Sequence, residues 1–184
     1  KYLARHPGCS NGDLKAHVAN VSPACQEQVG GYLKVLREKY RMVEKRLPVF
    51  ARPSARRSRY YLRDNFLRAW LSALANPVSA INFRPEADLV AKADRRLHEA
   101  EGFGFERLVG QLYEERSRKG VGDFALTRRI QGYWDRADTE IDLVAVDEES
   151  ETISFGTCKR SASKLVGDLP VLQGHVERFL SAHA

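Results

Sequence analysis

The chain has 184 residues, 43% of them hydrophobic and 29% charged, enough for one large or two small domains with a proper core. Cys9, Cys25 and Cys158 are far apart and odd in number, which excludes a disulfide framework and fits a reducing, cytoplasmic setting. The formal net charge of +6 hides an asymmetry: residues 1–80 hold 15 Lys/Arg against 5 Asp/Glu, and residues 81–184 hold 15 against 19. That split predicts two units, 1–80 and 81–184, the first either suited to a polyanion or simply a solvated basic surface. No apolar run approaches the roughly 20 residues that cross a bilayer, so no membrane partner is expected. The scattered histidines lack zinc-like spacing. The chain opens at Lys1 inside what reads as a helix, and we expect a piece of a longer protein.

In chain order, Leu14, Val18 and Ala19 predict a short helix with His17 on its flank, followed by a turn at Asn20-Val21. Ser22-Pro23 predicts the cap and first position of a longer helix, since proline there loses no hydrogen bond it would have made. Val29, Leu33, Leu36 and Tyr40 recur at helical spacing toward a core, which turns Gln26, Gln28 and Lys34 outward. Residues 41–50 and 56–63 read as two strands joined through Pro53-Ser54-Ala55. Helix, turn, helix and hairpin is the order of a winged helix. Its longer helix suits a major groove, while Arg52, Arg56, Arg57 and Arg59 on the wing suit phosphates. The same module also serves elsewhere as a packing unit that never meets DNA, and the charge favours contact. Asp64 then caps a helix with Phe66, Leu67, Trp70, Leu71 and Leu74 on its core side, stopped by Asn76-Pro77.

The second unit begins with a helix ending at Gly102. A further helix carries Phe105, Leu108, Val109, Leu112 and Tyr113 as its apolar stripe, with Glu106 at the edge. Residues 123–134, 139–146 and 152–159 read as three strands, the last two joined by an acidic turn. Leu169, Leu172, Val176, Phe179 and Leu180 mark a final helix. The predicted class is mixed α+β, a winged helix followed by a mixed sheet flanked by helices. Strand alternation puts Glu140, Asp142 and Val144 on one face, and Thr157 with Lys159. A turn centred near Glu149 sets Asp142 across from about Gly156, and a one-residue shift sets it beside Thr157. Either way a carboxylate and an ammonium come close, a pairing that suits a metal and its activated water.

Glu106 in F-E-R-L-V, Asp142 in E-I-D-L-V-A and Lys159 in G-T-C-K resemble the three motifs of the PD-(D/E)xK nuclease superfamily, with its restriction-endonuclease-like fold. The chain as a whole resembles the C-terminal half of archaeal and bacterial AAA+ (STAND-like) ATPases, in which a winged helix follows the ATPase module. The resemblance implies that Asp142 is the principal metal carboxylate and that Glu106 supports a Mg²⁺ or Mn²⁺ ion or its water. Lys159 would orient the nucleophile. The family pattern expects an acid where Thr157 stands, and Glu140 or Glu106 is the candidate substitute. No G-x-x-x-x-G-K-[ST] occurs, so any ATPase module lies upstream of these residues. These features lead to a DNA-binding, regulatory portion of an ATPase-family protein with a degenerate nuclease-like domain. An active metal-dependent endonuclease and a protein-interaction domain restraining the ATPase are the alternatives.

Overall fold

Ser10 starts the first long element. Its hydroxyl accepts from Asp13 N–H at 3.1 Å while the Asp13 carboxylate accepts from Ser10 N–H at 2.8 Å, a reciprocal cap that satisfies two orphan helix donors. In the computed structural model, which describes residues 1–53, 57–122 and 125–183, α1 (Tyr2–Arg5) and α2 (Asn11–Val21) precede a 3₁₀ turn, Pro23–Gln28, and α3 (Val29–Glu38). α2 therefore runs through the expected turn at Asn20-Val21. Pro23 does sit at the first position of the next element, but the Ser22 hydroxyl donates to Cys25 Sγ at 3.4 Å instead of capping. β1 (Val43–Arg46) pairs with β2 (Arg59–Leu62) in an antiparallel hairpin. Cys9 adds a bridge to Tyr60, and position 8 suits glycine on two counts, a φ of +83° and a Cβ that would meet the Tyr61 hydroxyl at 3.0 Å. Ala4, Cys9, Leu14, Val29, Leu33, Val43 and Leu62 form the core around this hairpin. Tyr40 lies beyond α3 and is exposed.

Asp64 caps α4 (Asn65–Ala69) as expected, accepting from Leu67 N–H at 2.6 Å. The helix then widens into a π turn, Trp70–Leu74, and continues as α5 (Ala75–Ser79), so Asn76-Pro77 does not stop it. The wide turn, closed by Ala75 N–H on the Trp70 carbonyl, breaks the 3.6-residue phase. Phe66 is 75% exposed and Trp70 37% exposed, while Arg68, Ser72 and Ala73 are buried. The expected apolar stripe therefore does not point inward as a whole. Arg68 can lie inside because its guanidinium donates to the Ala100 carbonyl at 2.8 Å.

A single 33-residue helix, α6 (Glu86–Arg118), replaces the two helices expected around Gly102. A glycine costs a helix interior only about 1 kcal/mol, and Gly102 keeps an ordinary φ. The helix ends at Gly120, whose φ of +63° lets its N–H reach the Ser117 carbonyl and Val121 N–H the Arg116 carbonyl.

β3 (Gln131–Trp134), β4 (Glu140–Asp147) and β5 (Thr152–Gly156) form a sheet in that order, antiparallel throughout. β3 is much shorter than the strand expected over 123–134. Asp123 and Phe124 lie outside the described residues. The pairing with β4 shifts between Gln131 and Tyr133, where the Gly132 carbonyl accepts from Val49 N–H at 3.0 Å. α7 (Ala162–His183) begins seven residues before Leu169. Phe179 is buried at 1% exposure, with Tyr133 edge-on at 4.8 Å and Phe155 at 5.1 Å, whereas Leu169 and Leu180 are about half exposed. On α6, Phe105, Leu108, Leu112 and Tyr113 are exposed, and Gly110 faces Leu143 and Ile130 instead. The fold is mixed α+β, with two small antiparallel sheets and flanking helices. It forms two compact units, residues 1–47 with 53–101 and residues 48–52 with 102–184.

Candidate functional site

β4 and β5 place the acid–lysine pair in the second unit. Leu143 pairs with Gly156 and Val144 with Phe155, so the ladder extends to Asp142 opposite Thr157. The register is thus the shifted alternative of the two that the sequence allows. Thr157 Oγ1 donates to Asp142 Oδ2 at 2.8 Å, and Cys158 N–H donates to the same oxygen at 3.0 Å. The threonine that stands where an acid was expected therefore binds the carboxylate it would have accompanied.

Lys159, two residues on, does not pair with Asp142. Its ammonium meets Asp168 Oδ2 of α7 at 2.7 Å. This bond raises the lysine pKa above its ordinary value, against desolvation, and the negative charges of Asp142, Asp168 and Glu106 act in the same direction. Cys158 reports the same cluster from inside. Burial first, and then the charges of Asp142 and Glu106, push its thiol up to about 11, with Lys159 opposing them. Positions 106, 142 and 159 thus bear on one side chain. Glu106 is half-buried on α6. Glu140 is exposed at the start of β4, where its N–H donates to His175 Nδ1 at 2.7 Å. Because Nδ1 accepts here, the neutral imidazole of His175 carries its N–H on Nε2.

A hard divalent cation needs several oxygen donors at once. Among the described residues no group of three or more His, Cys, Asp or Glu side chains is placed to hold a metal ion. Asp142 Oδ2 already accepts two hydrogen bonds. Mg²⁺ or Mn²⁺ does not fit this cluster as it stands.

A cleft of about 440 Å³ lies elsewhere in the second unit, between the end of α6 and residues 126–129. Arg118 pairs with Glu115 and Arg128 with Glu148, Glu114 accepts from Ile130 N–H, and Ser117 accepts from Leu126 N–H. It contains none of the cluster residues.

In the first unit, Gln26 is half-buried in the 3₁₀ turn, Gln28 accepts from the Tyr32 hydroxyl at 2.8 Å, and Lys34 is exposed on α3. Arg57 is exposed, and Arg59 stands in β2 directly opposite Arg46. The Arg46 guanidinium pairs with Glu44 and lies 4.7 Å from the centre of the Tyr61 ring. Arg52 belongs with residues 48–52 to the second unit, and Arg56 lies outside the described residues. Two participants were missed in the sequence. Arg46 follows from the hairpin register once the turn is centred between residues 52 and 53. Asp168 carries no local signal, because only the packing of α7 brings it to Lys159.

A family model matches residues 70–166, more than half of the chain. The chain belongs to DUF234, a family of archaeal and bacterial proteins of unknown function. The DUF234 match takes in Glu106, Asp142, Thr157 and Lys159 and stops short of Asp168. No curated protein and no solved structure matches the chain. Among the described residues no helix is long and apolar enough to cross a membrane.

Proposed function

We propose that this chain is the nucleic-acid-binding and regulatory portion of a larger ATPase-family protein. In this reading a basic winged-helix unit holds DNA, and a PD-(D/E)xK-like unit grips phosphate without cutting it. The observation that carries it is the occupation of Asp142 by the Thr157 hydroxyl inside a cluster that also gathers Glu106 and Lys159. Such a cluster keeps a cation for phosphate while lacking the acid pair that a catalytic metal requires. In the hairpin, Arg46 and Arg59 face each other across the ladder. Two arginines side by side concentrate positive charge on that face, part of it answered by Glu44. The ATPase module in this reading is a partner upstream in the same protein.

The test is fluorescence anisotropy with a labelled DNA duplex of random sequence, from about 50 to about 200 mM salt. The wild type binds, and binding weakens steeply with salt. Replacing Arg56, Arg57 and Arg59 together by alanine flattens the log–log salt dependence by about 0.9 for each phosphate that is no longer neutralised. Unchanged binding by that triple variant removes the wing from the reading. No binding at the lowest salt replaces it with a protein-interaction domain acting on the ATPase. Nicking of supercoiled plasmid in Mn²⁺ by the wild type, but not by Asp142→Ala, replaces holding with cutting.

A further inference from the structure

Lys159 is the cation that the strand following Asp142 brings to the cluster, and its ammonium is already engaged. Its partner, Asp168, comes from α7, six residues beyond the helix start at Ala162. The bond is 2.7 Å, and the two side chains keep 35% and 39% of their surface in solvent. A pair this open exchanges partners readily, because water and salt already compete for it. A carboxylate oxygen and a phosphate oxygen make the same kind of charge-assisted bond to an ammonium. The segment before Asp168 is otherwise cationic, since residues 159–164 contain Lys159, Arg160 and Lys164 and no acid. Asp168 is therefore an internal anion that competes with a phosphate for Lys159.

We propose that Asp168 is a competitor built into the fold, a carboxylate that occupies Lys159 and sets the threshold at which a nucleic-acid phosphate takes its place. The proposal deepens the nucleic-acid reading given above and rests on it. Asp168 acts through Lys159 and is a positioning residue. It gates how much cation the second unit offers to a phosphate.

The experiment uses the whole chain and the same labelled duplex. Asp168→Asn, nearly isosteric and solvent-accessible, tightens binding about two- to fivefold, the worth of an exposed pair. It also steepens the log–log salt dependence by about 0.9, the value of one further neutralised phosphate. In a Lys159→Gln background the same substitution changes nothing. Glu177→Gln, which removes an equal charge from an exposed position of α7, leaves binding unchanged. Equal tightening by Glu177→Gln, or a gain from Asp168→Asn that survives Lys159→Gln, overturns the proposal in favour of bulk charge. Wild-type binding unaffected by Asp168→Asn overturns it while leaving the nucleic-acid reading intact. If the wild type fails to bind and Asp168→Asn binds, the gate is supported in its strongest form. If neither binds, both readings fall.

Discussion

The two hairpins treat facing residues in opposite ways. In the first unit Arg46 and Arg59 are set opposite each other across β1 and β2, with Glu44 as a nearby counter-charge. In the second, Asp142 and Thr157 face each other across β4 and β5 and close a hydrogen bond. The first arrangement sets two arginines side by side, with Arg46 answered by Glu44 and laid over the Tyr61 ring. The second consumes a charged group's bonding capacity within the fold and leaves the neighbouring lysine to another element. The surplus of lysine and arginine over residues 1–80 announces a basic unit, but both facing pairs exist only once strand register is known.

That contrast can be broken from the core outward. The largest effect is expected from Phe179→Ala, which empties the centre of the second unit beneath Tyr133 and Phe155 and costs about 3–5 kcal/mol. The destabilisation is read as a fall in the urea midpoint of Trp134 fluorescence in a Trp70→Phe background. An unshifted midpoint would mean that the aromatic contacts do not hold this unit together.

Asp142→Ala sharpens the comparison at the cluster. It strands the Thr157 hydroxyl and the Cys158 N–H, at a cost of about 1–3 kcal/mol, and it removes one of the charges that raise the Cys158 thiol. With a pKa pushed up to about 11, Cys158 at pH 8 is about one part in a thousand thiolate, and its alkylation quickens roughly tenfold per pH unit until that pKa is reached. Loss of Asp142 moves the pKa down, so iodoacetamide labels Cys158 several-fold faster at pH 8, followed by mass spectrometry of its peptide. Burial, the larger cause, still holds the thiol above its ordinary range. Labelling that stays unchanged would separate position 142 from position 158.

The smallest effect belongs to the first unit. Ser10→Ala removes half of the reciprocal cap on α2 and costs about 1 kcal/mol, measured by the Trp70 signal in a Trp134→Phe background.

Much of the architecture was legible where chemistry is local. The Asp64 cap and the hairpin over residues 43–62 each follow from short-range rules, and the sequence narrowed the residue facing Asp142 to Gly156 or Thr157 without choosing between them. The phases of α4 and α6 were not. Both were inferred from large apolar side chains, yet the buried positions include the small residues Ser72, Ala73 and Gly110, the last against the side chains of Leu143 and Ile130. A π turn in one case and an uninterrupted 33-residue helix in the other removed the landmarks used to set the phase. Asp168 was illegible for a different reason. Nothing within a few residues of it marks a partner, and the ion pair exists only through the placement of α7 beside the end of β5.

Residues Pro48–Arg52 belong to the second unit and lend Val49, 2% exposed, to its core before the chain returns to the first unit. Any fragment cut after residue 52 therefore carries a notch beside Tyr133 and Phe179 that its own sequence cannot fill. Expressed alone, such a piece should be sticky and poorly soluble, and a short synthetic peptide spanning residues 47–52 should restore it by complementation.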